Sequence, residues 1–378
     1  MSQKYPRRGL LKRVKRIVIK IGSSVLTFND GELQSKIFRG LAREISILKC
    51  EGYDSVIVSS GAISAGINKL GICEKPKNIP EKQAVAAVGQ SILMWNYEMS
   101  FSKYNQKVAQ VLLTHDDLSS RNRYLNARNT LSTLINFGII PIINENDSVS
   151  VEEIKFGDND NLSALVTNLI GADLLIILTD TNGLYDRNPW SCKDAELIPL
   201  VEKICSKIEK IAGDTASPTC IGGMITKVQA AKKAAIFGLP TIVANGKVDG
   251  IIGKIVKGES VGTLFLPKDN KITSRKHWIA FTLKPKGEII IDRGGQDAIV
   301  NSGKSLLPSG VLDVIGKFRI GDSVSLVNPD RLEFARGLAN YSSEELIKIK
   351  GLKTSEVESK LGYKYFDEII HRDDLVVL

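Results

Sequence analysis

The strongest constraint on the fold is a rhythm. Short runs dominated by apolar residues, at 17–21, 55–59, 108–113, 139–143, 174–179 and 241–244, are separated by longer segments, some with clear helical periodicity. A run with no polar face suits a strand covered on both sides, as in a mainly parallel sheet between two layers of helices. The segment 33–49 places Leu33, Ile37, Leu41, Ile45 and Leu48 on one helical stripe, and 224–237 does the same with Met224, Val228, Ala231 and Ala235. Both stripes are expected to face the sheet, which gives an α/β three-layer sandwich.

The texture changes near residues 266–276, where Pro267, Lys268, Asp269, Asn270 and Lys271 form a polar, turn-rich stretch. Beyond it, β-like runs at 278–283, 288–291, 311–314 and 323–327 follow one another without long helices. The expected organisation is a basic N-terminal arm over 1–15, an α/β domain over 16–266, a linker over 267–275 and a small, mostly-β domain over 276–378. A chain of 378 residues is long enough for two such cores.

Several function classes are disfavoured by composition. No apolar run approaches the roughly 18 residues of a spanning helix, and the start lacks the apolar core of a secretion signal, so no membrane partner and a cytoplasmic location are expected. Cys50, Cys73, Cys192, Cys205 and Cys220 are odd in number and scattered, which fits reduced thiols, and with only His115, His277 and His371 a zinc site is not expected. The formal charge of +9 is uneven. Residues 1–20 contain no acidic side chain but include Lys4, Arg7, Arg8, Lys12, Arg13, Lys15 and Arg16. This arm reads as a solvated tail, with contact to nucleic acid or an anionic surface as the alternative.

Chemistry-bearing residues gather where the apolar runs stop, the place where open α/β sheets bind ligands. Lys20 and Ile21 lead into Gly22, Ser23 and Ser24; glycine lets backbone N–H groups approach an oxyanion, and Lys20 adds a full charge. Ser59, Ser60, Gly61 and Ala62 repeat the pattern after the second run. Two such strand ends favour an anion cradle over two unrelated turns. The fourth run closes in Asn144, Glu145, Asn146 and Asp147, followed by Gly157, Asp158, Asn159, Asp160 and Asn161 ahead of a helical segment. Asp158 and Asn159 are natural helix caps, yet such a density of Asn and Asp also makes a recognition surface: carboxamides grip a carboxylate, one Asp holds an ammonium, another orients lysines. The stretch is too short for a calcium loop. Thr179 and Asp180 close the fifth run, and Gly222, Gly223, Met224, Ile225, Thr226 and Lys227 open a helix in a manner suited to nucleotide phosphates. The segment Ser302, Gly303, Lys304, Ser305 ends like a P-loop, but Ala298 stands where the first glycine belongs.

In this order these segments resemble the amino acid kinase family over residues 16–265, in the form that acts on glutamate, and continue into a PUA-like module carrying Ser305, Leu306, Leu307, Pro308, Ser309, Gly310 and Val311, with Gly321 and Asp322 beyond. The resemblance implies ATP-dependent phosphorylation of the L-glutamate γ-carboxylate to L-glutamyl 5-phosphate, the first step of proline biosynthesis. It implies that Lys20 and Lys227 neutralise the transferring phosphoryl group while Asp160 holds both ammonium groups. Glutamate binding falls to Ser60, Gly61, Ala62, Asp147 and Asn159, and nucleotide contacts to Lys20, Gly22, Ser23, Thr179, Asp180, Gly222, Gly223, Met224, Thr226 and Lys227. Mg2+ is expected to arrive with ATP, held mainly by phosphates and water. Feedback inhibition by proline and a homo-oligomer, dimer or tetramer, are also implied.

One departure bears on the nucleotide. Where the family has G-T-G-G-M, this chain has Cys220, Ile221, Gly222, Gly223 and Met224, with Pro218 just upstream, which restricts the loop backbone and removes a hydroxyl. The nearest alternatives are kinases of the same superfamily acting on acetylglutamate, aspartate, carbamate or a nucleoside monophosphate. A different class is an RNA-binding protein working through the PUA-like module; residues 275–378 hold 16 basic and 15 acidic side chains, nearly neutral for a phosphate-binding surface.

Overall fold

A computed structural model of the chain describes residues 7–28, 30–72, 76–119, 121–149, 159–214, 223–267 and 283–378. The chain divides into two compact units, Met1–Lys271 and Ile272–Leu378.

The first unit is built on an eight-stranded sheet. Its strands are β1 (Arg16–Ile21), β2 (Asp54–Ser59), β3 (Val108–Leu113), β4 (Ile140–Glu145), β5 (Leu174–Thr179), β6 (Leu200–Val201), β7 (Thr241–Asn245) and β8 (Thr263–Phe265), in the order β3-β4-β2-β1-β5-β7-β8-β6. Pairings from β3 through to β7 are parallel, and β8 runs antiparallel to β7. Strand β1 is central, with β2 on one side and β5 on the other, so the chain reverses its direction of travel across the sheet at β1 and opens a crevice at the carboxyl ends of these strands. Strands β4 and β5 are buried along their whole length and β1 and β2 beyond their first residue, which is why they appear as unbroken apolar runs.

Helices cover both faces. The Ser35–Cys50 helix buries Phe38, Leu41, Ala42, Ile45 and Leu48, and the Met224–Ile236 helix buries Met224, Val228, Ala231 and Ala235. The Ala62–Leu70 and Ile79–Phe101 helices pack in unusually close contact: a Cβ on Gly89 would run into the Ala62 carbonyl oxygen, and one on Gly66 into that of Val85. Only glycine at both positions permits this approach.

The basic N-terminal segment is not a solvated tail where the structure describes it. Residues 7–11 form a short helix, Leu11 and Val14 join the core, and the Arg7 guanidinium donates to the carbonyl oxygens of Val261 (2.6 Å), Pro199 (2.7 Å), Gly262 (3.0 Å) and Glu259 (3.1 Å). A fork of donors that finds a cluster of carbonyls becomes part of the fold.

The second unit holds a five-stranded sheet, β9 (Gly287–Ile291), β10 (Val311–Gly316), β11 (Ser323–Val327), β12 (Glu333–Leu338) and β13 (Leu375–Val377), ordered β10-β9-β11-β12-β13. Its core includes Ile289, Ile291, Val324, Leu326, Tyr341 and Ile370. The strand expected at 278–283 lies, but for its last residue, outside the described residues, as does most of the linker expected at 267–275. The P-loop-like segment is a helix end: Gly303, at φ +60°, closes the Arg293–Ser302 helix, the wrong polarity for cradling phosphate.

Candidate active site

Three strand ends and two helix starts converge on a buried charge cluster. Lys20, the fifth residue of β1, places Nζ 2.5 Å from Asp160 Oδ1. Lys227, in the first turn of the Met224–Ile236 helix, places Nζ 3.2 Å from Asp160 Oδ2. The side chains of Lys20, Lys227 and Asp160 are only 7, 9 and 4% exposed. Thr226 Oγ1 lies 2.6 Å from Asp160 Oδ2 and 2.9 Å from the Gly223 carbonyl. Burial by itself would raise the Asp160 pKa, but the two ammonium groups and the Lys20 and Thr226 hydrogen bonds hold the carboxyl well below the usual carboxylate range. The ionised cluster carries one net positive charge in a place shielded from water, an arrangement that attracts an anion.

Gly22 sits directly over this cluster. Its N–H donates to the Leu178 carbonyl on β5 at 3.0 Å, and a Cβ there would lie 3.3 Å from that oxygen and 3.9 Å from Lys20 Nζ. Ser23 begins the short helix after it. Thr179 and Asp180 close the adjacent strand β5, with Thr179 Oγ1 donating to Asp180 Oδ1 at 3.2 Å. Gly223 and Met224 open the helix that carries Thr226 and Lys227. Gly222, with Cys220 and Ile221, falls outside the described residues, as do Gly157 and Asp158.

The residue before Asp160 faces the other half of the site. Asn159 Nδ2 donates to Ser60 Oγ at 3.1 Å, so adjacent residues at the start of the Asn159–Leu169 helix join the lysine cluster to the end of β2. There the Ser60 N–H donates to the Ile21 carbonyl at 3.1 Å, Gly61 takes the left-handed conformation (φ +104°), and Ala62 starts the next helix. Beneath them Ser59 Oγ lies 2.9 Å from the Tyr97 hydroxyl, whose pKa burial pushes up against the opposing Ser59 bond. Asp147 stands in the turn after β4. Two residues of this half escaped the candidate set drawn from sequence: Asn144, a bystander in its strand-end burst, and Gln90, a helix residue whose Oε1 accepts from Asn144 Nδ2 at 2.7 Å.

Among the described residues no group of three His, Cys, Asp or Glu is arranged to hold a metal ion, and both Asp160 oxygens face cations or a hydroxyl. The donor set fits a polyanion that brings its own metal, and not a protein-built metal cage.

A family model described as the amino acid kinase family matches residues 15–245. The chain belongs to the amino acid kinase family. A PUA domain model matches residues 287–361. Among curated relatives, the glutamate 5-kinases of Pelobacter propionicus and Geobacter sulfurreducens are each 54% identical over 372 residues, 98% of this chain and 100% of theirs. The glutamate 5-kinase of Caldanaerobacter subterraneus subsp. tengcongensis is 52% identical over 96% of this chain and 98% of its own. The solved structure of a UMP kinase from Bacillus anthracis is also similar, at 18% identity and a TM-score of 0.45, over 68% of this chain and 98% of that one. Among the described residues no helix is long and apolar enough to cross a membrane.

Proposed function

We propose that this amino acid kinase uses ATP to phosphorylate the γ-carboxylate of L-glutamate, yielding L-glutamyl 5-phosphate for proline biosynthesis. The observation that supports it most is Asp160 shared by Lys20 and Lys227 at the carboxyl ends of the sheet, in a chain matching glutamate 5-kinases across their whole length. Phosphoryl transfer develops charge on non-bridging oxygens, so ammonium groups already held in place stabilise the transition state without covalent catalysis. Lys20 and Lys227 serve that role, and Asp160, fully ionised, keeps them from being pushed apart. Gly22 and Ser23, with Thr179, Asp180 and the segment from Gly222 to Lys227, line the nucleotide side. Ser60, Gly61, Ala62, Asp147 and Asn159 bind glutamate. The γ-carboxylate is itself the nucleophile at neutral pH, so no general base is required. Mg2+, bound through the phosphates and water, adds further neutralisation of the triphosphate.

On the same reading the kinase domain spans 16–266, after a basic segment (1–15), and is followed by a linker (267–275) and the PUA-like domain (276–378), whose role is structural or regulatory and not RNA binding. The enzyme works in the cytoplasm as a homo-oligomer inhibited by proline. The test is ADP release by the purified chain: it should require L-glutamate, and hydroxylamine should trap an acyl phosphate. Glutamate-independent turnover, or a preference for acetylglutamate, overturns the assignment.

A further inference from the structure

A relay of three carboxamides runs from the charge cluster into the helical layer. Asn159 Nδ2 contacts the Ser59 carbonyl oxygen at 3.2 Å, Ser60 Oγ at 3.1 Å and Asn144 Oδ1 at 3.0 Å; Asn144 Nδ2 then donates to Gln90 Oε1 at 2.7 Å. The direction of this relay is dictated by the backbone. A carbonyl oxygen only accepts, so the Asn159 atom facing Ser59 must be the amide nitrogen. Asn144 must therefore turn its oxygen to Asn159 and its nitrogen to Gln90, and Gln90 must answer with oxygen.

The relay ends in two buried polar atoms that have no hydrogen-bond partner among the described residues, the acceptor Asn159 Oδ1 and the donor Gln90 Nε2. Asn159 as a residue is 8% exposed. Orphans of this kind are rare in folded proteins and call for a ligand or a mechanism. Gln90 joins the substrate half of the site only through Asn144. It reaches the ends of β2 and β4 because Gly66 and Gly89 let its helix approach the Ala62–Leu70 helix closely enough, and Gln90 is the residue next to that contact.

We propose that Gln90 is a positioning residue for substrate recognition. By accepting from Asn144, it holds the Asn144 oxygen toward Asn159 Nδ2 and so reinforces the orientation that the Ser59 carbonyl sets for the Asn159 carboxamide, leaving Oδ1 as acceptor for the α-ammonium of the amino-acid substrate. An ammonium has donors only and satisfies that oxygen, whereas a substrate lacking it leaves the acceptor buried and unpaired. The relay thus selects an α-amino acid over the corresponding dicarboxylate, and acts on binding without entering phosphoryl transfer. The inference rests on the glutamate-kinase reading.

The test compares L-glutamate with glutarate, which lacks the amino group, as acceptors for the full chain and its Gln90→Met and Gln90→Glu variants, with thermal unfolding to verify that each is folded. Methionine has similar length and no amide; glutamate keeps an oxygen for Asn144. In Gln90→Met the KM for L-glutamate should rise about tenfold, the equivalent of one lost hydrogen bond, with kcat within about twofold. Its preference for L-glutamate over glutarate, in kcat/KM, should fall by a similar factor of about ten, while Gln90→Glu retains most of that preference. Should Gln90→Met not fold, Gln90→Leu is read in its place. A Gln90→Met enzyme that keeps the wild-type preference, loses both substrates equally, or loses kcat at unchanged KM overturns the proposal, and so does a Gln90→Glu enzyme as indiscriminate as Gln90→Met. A wild-type chain inert toward L-glutamate overturns the proposed function itself, whereas an active wild type with an unaltered Gln90→Met preference overturns this inference alone.

Discussion

Lys20 Nζ lies 2.5 Å from Asp160 Oδ1 with both side chains nearly inaccessible to water, and the opposite oxygen of the same carboxylate faces Lys227. Such a cluster is held together by mutual neutralisation, because taking the carboxylate away would leave two buried ammonium groups uncompensated. Asp160→Asn should therefore destabilise the first unit by about 3–5 kcal/mol, measured by urea unfolding at neutral pH. Acid should mimic the substitution. The folded pKa is depressed, so the stabilisation is complete above the unfolded carboxyl pKa of about 3.9 and is lost as pH falls from there toward the folded value. Between pH 7 and pH 5 the contribution of Asp160 should stay constant, and below pH 4 the gap in stability between wild type and Asp160→Asn should narrow.

The two lysines should respond differently from substrate-binding residues. Their charge matters most when negative charge has spread over the transferring phosphoryl group, so Lys20→Ala and Lys227→Ala should each lower kcat by about a hundredfold or more. The KM for L-glutamate should shift by no more than about threefold in either variant. Because both lysines share one carboxylate, their effects should not add: the double variant should lose much less than the product of the single losses. Unchanged turnover in both single variants would remove the mechanism proposed above.

The contact between Gly89 and Ala62 links packing to recognition. A methyl group on Gly89 meets a backbone carbonyl, which cannot swing aside as a flexible side-chain end can. Gly89→Ala should cost about 1–3 kcal/mol or more through a forced shift between the two helices, seen as a lower urea midpoint at constant m-value. Since Gln90 travels with the shifted helix, glutamate KM should also rise, while Gly40→Ala, with open space around its Cβ inside the Ser35–Cys50 helix, should leave KM unchanged and raise stability by about 0.5–1 kcal/mol.

The sheet was legible through its apolar runs: 174–179, buried along its whole length, and the edge strand 108–113 emerge with the bounds read from sequence, and the other four differ at their ends by a residue or two. Strands β6 and β8, of two and three residues, are too short for any periodic signal. The site was legible where it lies at strand ends or helix starts, since glycine, serine and aspartate are conspicuous there. Gln90 was not, because its partner Asn144 is 54 residues away and nothing local distinguishes a polar helix residue facing a strand end from one facing water. The burial of Lys20 and Lys227 was likewise invisible to composition, which counts charges without their partners.

Arg7 shows the same blindness from the other direction. Read by charge, it belongs to a solvated basic tail; in the fold its guanidinium bonds four carbonyl oxygens flanking β6 and β8, the short strands at the sheet's edge. Arg7→Ala should leave those carbonyls without their charged donor and lower stability by about 2 kcal/mol, whereas Arg8→Ala, at the next residue and unengaged in this cluster, should fall within about 0.5 kcal/mol of wild type. Arg7→Lys should recover only part of the loss, because an ammonium cannot reproduce the planar fork that reaches two pairs of acceptors. Thermal unfolding of the three variants checks the order, and hydrogen exchange should localise the change to β6 and β8, with the Lys20–Asp160 end of the sheet still protected. Equal melting temperatures for Arg7→Ala and Arg8→Ala would return the whole segment to the status of a tail.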